Sequence, residues 1–179
     1  MKNILFILLF FGLLTQAQDK YLTKIGSVDF EASVPSFEEV AAKNNSVTAI
    51  INTATNEFAA LVLVKGFRFK NALMEEHFNE NYAESNLYPK ATFKGNIIGN
   101  NLKNNTSGTY SIDGHLTFHG ITKSIKNLPV KITFNNDTIV LEGTFSVKAS
   151  DYEIEIPNIV KNKVSDIVKV NFTFNLKQN

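Results

Sequence analysis

The chain has 179 residues, with 18 Lys and Arg against 17 Asp and Glu, no cysteine, no tryptophan and 15 phenylalanines. A nearly neutral balance gives no electrostatic footprint for nucleic acid or another phosphate-rich partner. The missing cysteines exclude disulfide staples, thiolate chemistry and a cysteine-linked lipid anchor. What remains is enough chain for one domain with a full core, and a large amount of phenylalanine to bury in it.

The first segment reads as an address. Lys2 is followed by an apolar run over residues 4–14 and by Thr15-Gln16-Ala17, a small-residue cleavage site. This is the pattern of a secretory signal peptide, residues 1–17, which makes 18–179 a single mature domain. The run is far short of the roughly 20 residues that a membrane-crossing helix needs, so the mature protein is expected to be exported, periplasmic or secreted, and not integral to a membrane.

Eight strands then follow from period-two alternation: 21–34, 46–52, 57–69, 91–100, 106–118, 123–135, Thr138–Lys148 and 166–177. In the first, Val28, Phe30, Ala32 and Val34 share a face. Pro35, Ser36 and Glu39 then make a capping box for a short helical turn. Residues 53–56 join the second and third strands as a hairpin turn. The third is apolar on both sides. Its odd positions, Ala59, Leu61, Leu63, Phe67 and Phe69, are apolar, and so are Phe58, Ala60, Val62 and Val64 on the other face. Such a strand wants cover on its outside, from a helix or from a second copy in a homodimer.

A helix is expected next, capped by Asn71, with Glu75 and Glu76 in its N-terminal half and Leu73, Met74, His77 and Phe78 in one stripe. The later strands are separated by asparagine-rich turns at Asn100-Asn101 and at Asn135-Asn136-Asp137. The last alternates most regularly, with Val168, Val170, Phe172, Phe174 and Leu176 on one face and Lys169, Asn171, Thr173, Asn175 and Lys177 on the other.

Eight antiparallel strands joined by short turns define an all-β, up-and-down barrel with one or two short helices. A barrel of this width either packs solid or holds one small ligand, and alternation does not decide which. Outer-membrane barrels share the period with the apolar face outward. Here Lys169 and Lys177 on the polar face, without acidic partners, suit water better than a narrow lumen.

Little in the chain points to catalysis. His115 and His119 on one strand face would sit about 13 Å apart at about 3.3 Å per residue, too far to share a metal ion. His77 reads as a helix residue, Glu75-Glu76 as a solvated first turn, and 151–157 as loop or short extended structure with its carboxylates in water. No glycine-rich phosphate loop or nucleophile elbow occurs. The chain is therefore read as a non-enzyme with no catalytic or metal-binding residues.

Two stretches carry a family resemblance. One runs Phe69-Lys70-Asn71-Ala72-Leu73-Met74-Glu75-Glu76-His77-Phe78 through Tyr82-Ala83-Glu84-Ser85 to Tyr88-Pro89-Lys90-Ala91-Thr92-Phe93. The other is Gly114-His115-Leu116-Thr117-Phe118-His119-Gly120-Ile121-Thr122-Lys123, followed by Ser150-Asp151-Tyr152-Glu153-Ile154 and the final alternating strand. Together they resemble the YceI-like family. The resemblance implies an exported, lipocalin-like eight-stranded barrel that holds a polyisoprenoid, such as an isoprenoid quinone tail, as an apolar lipid ligand. It implies no other cofactor. Phe30, Leu63, Phe93, Tyr110, Phe118, Phe134, Phe145, Phe172 and Phe174 are the residues expected to meet such a chain. Walls of this kind accept a hydrocarbon tail and give no head-group specificity. The alternative is that the same side chains fill a solid core in a structural or interaction protein.

Overall fold

A computed structural model describes residues 19–34, 38–99 and 102–179. The leader 1–17, the turn capped by Ser36 and the Asn100-Asn101 turn lie outside the described residues. The described strands are β1 (Lys20–Ser33), β2 (Ala41–Asn52), β3 (Glu57–Leu63), β4 (Arg68–Phe69), β5 (Lys90–Ile98), β6 (Gly108–Phe118), β7 (Ile121–Asn135), β8 (Thr138–Lys148) and β9 (Val164–Gln178). Each pairs with its neighbour in an antiparallel sheet that runs β1-β9-β8-β7-β6-β5-β3-β2 and closes by β2 pairing back to β1. β4 is a two-residue addition to β2, so the barrel proper has eight strands.

Local chemistry sets the corners. Asn56 (φ 59°) and Asn136 (φ 48°) adopt the left-handed conformation that tight hairpins require and that asparagine tolerates. A register shift between Thr23 and Gly26 in β1 moves the inward face from Tyr21 and Thr23 to Val28, Phe30 and Ala32. A second shift, where β6 meets β7, leaves Asn127 at φ 51° with its N–H donated to Asp113 Oδ1 at 2.7 Å.

The third strand departs from expectation in two ways. Its inward residues are the even ones, with Phe58 and Val62 buried, whereas Leu63 is 52% exposed on the outer surface. An all-apolar run carries no parity signal, and here the hairpin register decides it: Ile51, fully buried, lies opposite Phe58. The strand also stops at Leu63 instead of continuing to Phe69. Asn44, almost fully buried, donates from Nδ2 to the Leu63 carbonyl at 3.0 Å, and Gly66 passes so close that a β-carbon there would fall 2.5 Å from the same nitrogen. The chain turns over this amide through Val64–Gly66 and then pairs with β2 as β4.

The helix forms as α1 (Ala72–His77), with Asn71 Oδ1 accepting the Leu73 N–H at 2.9 Å. Its last turn, Phe78–Tyr82, widens to a π-helix closed by the Ala83 N–H donating to the Phe78 carbonyl at 2.8 Å. This unit does not cover the outside of β3. It sits where β1 ends, with the Phe78 ring centroid 5.3 Å from Phe30 and 5.2 Å from Phe69.

Packing is uneven along the barrel axis. At the end that holds the 53–56 and Asn136 turns, Ile51, Leu102, Ile112, Ile132, Ile139, Leu141 and Leu176 have no solvent exposure. That end is a solid core. The opposite end is not.

Candidate functional site

A cavity of about 370 Å³ occupies the half of the barrel toward the ends of β1, β3, β6 and β8. Its deep part is bounded by Val28, Phe58, Leu128 and Phe174, and its sides by Phe93, Phe118, Phe145, Val170 and Phe172. Phe78 and Tyr82 of the π-turn roof it from one side, and Tyr152, Ile154 and Ile156 from the other. The charged residues of its lining are Glu38 and Lys163. The barrel is therefore neither solid nor a through-pore: one half is packed and the other is hollow.

Inward glycines keep it hollow. A β-carbon on Gly143 would lie 2.4 Å from Phe172 Cζ, one on Gly114 2.5 Å from Phe93 Cζ, and one on Gly26 2.4 Å from Phe174 Cδ1. Each ring thus lies against the backbone of an adjacent strand rather than across the lumen, an aromatic-over-glycine arrangement in which the phenylalanine covers the strand that has no side chain of its own there. Phe172 and Phe174 also stack on each other at 5.5 Å, with planes 21° apart.

Of the nine side chains expected to meet a ligand, Phe30, Phe93, Phe118, Phe145, Phe172 and Phe174 line this cavity. Leu63 is on the outer surface. Tyr110 belongs to the solid end, where its hydroxyl donates to the Thr106 carbonyl at 2.5 Å. Phe134, next to the end of β7, packs with the same core. Alternation ranks face but not depth along the barrel, so it does not separate these two from the cavity wall. The cavity residues absent from the expected set are chiefly Phe58, on the opposite face of β3 from Leu63, Phe78 from the helix, and Tyr152, Ile154 and Ile156. These last three alternate in the sequence, the signal that could have moved 151–157 from solvent to the cavity wall.

Tyr152 is the most buried polar side chain of the lining, and its hydroxyl has no hydrogen-bond partner among the described residues. Burial, and secondarily the charge of Asp151, pushes its pKa up to about 12. His119 also departs from its expected place. It does not continue β6 but turns off it at φ 50°, leaving His115 alone on the exposed strand face. Among the described residues, no three His, Cys, Asp or Glu side chains gather as metal ligands would.

Geometry thus defines a class: a closed eight-stranded antiparallel barrel with a packed base and an apolar cavity under two short mouth segments. The pattern of the YceI-like domain matches residues 20–176, and the chain belongs to the YceI-like family. Its fold is similar to that of a polyisoprenoid binding domain from Saccharophagus degradans implicated in plant cell wall breakdown, with a TM-score of 0.77 at 16% identity, covering 90% of this chain and 99% of that one. BcnA of Burkholderia cenocepacia gives a TM-score of 0.71 at 18% identity, over 84% and 95% of the two chains. The YCEI protein of Campylobacter jejuni gives 0.65 at 17%, over 82% and 89%. At these identities the likeness is one of fold. None of the curated proteins matches the chain in sequence.

Proposed function

We propose that this protein sequesters or carries an apolar chain, a polyisoprenoid such as the tail of an isoprenoid quinone, in the hollow half of its barrel, and that it does so outside the cytoplasm. The observation that carries the reading is the cavity, about 370 Å³ walled almost wholly by hydrocarbon and phenyl groups. Ligand pockets span about 300–1,000 Å³ and combine such walls with a few polar groups. Membership of the YceI-like family and the binding named for the Saccharophagus degradans domain point the same way. Burying each methylene of a guest would be favourable by about 0.8 kcal/mol, so even a short stretch of chain binds without a directed contact.

Export rests on the sequence of residues 1–17 alone. The outer face of β3, where Leu63 is exposed, supports homodimerisation as a further part of the proposal, tested by sedimentation. The decisive experiment on function is native mass spectrometry and lipid extraction of protein purified from its own cell envelope. A stoichiometric isoprenoid is the expected result, and protein that carries no apolar molecule, and takes none up from vesicles containing isoprenoid quinone, overturns the reading.

A further inference from the structure

One imidazole joins the two segments that roof the cavity. His119 starts the two-residue turn between β6 and β7, His119-Gly120. Its Nδ1 lies 2.9 Å from the main-chain oxygen of Tyr152, and its Nε2 lies 2.8 Å from Glu84 Oε2. Glu84 lies one residue beyond the π-turn that presents Phe78 and Tyr82 to the cavity, after Ala83, and Tyr152 heads the segment that presents Ile154 and Ile156. The ring of Tyr88 meets the imidazole in a T-shaped contact with centroids 4.5 Å apart, and Gly120 leaves room for it. The His119 side chain is 10% exposed, that of Glu84 42%.

Backbone strain gathers at the same point. Among the described residues, seven other than glycine have positive φ, and Asn56, Asn105, Asn127 and Asn136 account for four of them. The other three are Glu84 (42°), His119 (50°) and Glu153 (56°), and all three belong to this joint. Histidine shares some of asparagine's tolerance, but the two glutamates hold this conformation only where their surroundings over-determine it, and such sites cluster at clamps and switches.

The partners of His119 also fix a proton count. A carbonyl only accepts, so Nδ1 carries a hydrogen. A neutral imidazole then has a bare lone pair at Nε2, yet that nitrogen is within hydrogen-bond distance of a carboxylate oxygen. The contact needs one more proton, carried either as imidazolium facing carboxylate or as imidazole facing carboxylic acid. When that proton passes to a base in solvent, a lone pair and a carboxylate face each other at bonding distance and repel. The groups facing the imidazole are the Glu84 carboxylate and Tyr88 from the loop before β5, and the Tyr152 main chain, flanked by Asp151 and Glu153.

We propose that this joint is a proton-controlled gate: the proton shared by His119 and Glu84 holds the two mouth segments closed over the guest, and its loss at rising pH lets them part and speeds exchange. The proposal rests on the carrier reading above and concerns its regulation.

The test uses the mature protein loaded with diphenylhexatriene, an apolar fluorescent probe with no titratable group, which is released into excess phosphatidylcholine vesicles. Release is followed from about pH 5 to about pH 9, across the histidine range. In the wild type it accelerates about tenfold or more with pH, the change expected when one charge-assisted hydrogen bond leaves the closed state. Glu84→Gln flattens the profile, since its side-chain amide can donate to a bare Nε2 or accept from a protonated one, and so makes the contact without a shared proton. His119→Ala releases quickly throughout. A flat wild-type profile, or the same slope in Glu84→Gln, overturns the gate.

Hydrogen exchange keeps the two readings apart. The amides of Ala83, Ser85 and Ile154 are bonded within the mouth segments, to the carbonyls of Phe78, Asn79 and Ala149. After correction for intrinsic rates, their protection falls with pH in the wild type and not in Glu84→Gln, whether or not a probe binds. Unchanged protection overturns the gate, while a protein that takes up no probe but loses this protection retains the gate and loses the carrier reading.

Discussion

Phe172 lies across Gly143 of the neighbouring strand, its ring where a β-carbon would stand 2.4 Å from Cζ. The glycine is what allows the ring to hug the wall. Gly143→Ala is therefore expected to push Phe172 into the cavity, at a stability loss of about 1–3 kcal/mol typical of overpacking. The amount of co-purified lipid should fall much more than the thermal midpoint. Equal lipid content in the variant would show that the ring's seat does not set the free volume.

Paired truncations read the two halves of the barrel directly. Leu141 is fully buried in the packed base, and Leu141→Ala should lose about 3–5 kcal/mol, since the void cannot collapse. Phe172→Ala enlarges a space that already exists and should cost less than about 3 kcal/mol while impairing retention of the guest. Phe172→Glu places a charge in the same wall and should abolish binding, because an ionised carboxylate there costs several kcal/mol. Denaturant titration with lipid quantification separates these outcomes.

Tyr152 makes stability fall in alkali. An unfolded tyrosine ionises near pH 10, whereas burial holds this one neutral to about 12, so the fold binds the proton more tightly than the open chain does. The contribution is intact below about pH 10 and is lost as pH rises through about 12, by at most about 2–3 kcal/mol. Urea midpoints of the wild type should drop over this window relative to those of Tyr152→Phe. At neutral pH that variant should be about as stable as the parent, because the hydroxyl it removes has no partner. Parallel alkaline profiles would contradict the assignment.

N-terminal sequencing of protein taken from the envelope should begin near Gln18, with the product released by osmotic shock without detergent. Retention of the apolar run 4–14 in membrane-bound protein would count against export by cleavage.

The barrel was legible from alternation because seven of its eight main strands keep a polar face, and a polar face fixes which way each residue points. The last strand shows this best, with Phe172, Phe174 and Leu176 buried as their spacing requires. Where the polar face is missing, in β3, the spacing holds no information, and Leu63, expected to meet the ligand, lies outside. Depth along the axis is likewise invisible to a period of two, so Tyr110 in the packed base could not be told from Phe118 at the mouth. The His119 contact was out of reach for another reason. It joins residues 33 and 35 positions apart across three loops, and only the closed barrel brings them together.

A barrel stoppered at one end has a single doorway. A long guest with a bulkier polar terminus would have to go in with its slender hydrocarbon end leading and back out along the same track, and the charged lining residues that could meet that terminus are Glu38 and Lys163. Whatever hands such a molecule over, or takes it away, meets that terminus first and the chain last. Under the proposed carrier role, delivery would amount to drawing a thread from a closed sheath, the apolar part shielded from water until the receiving site has engaged the head.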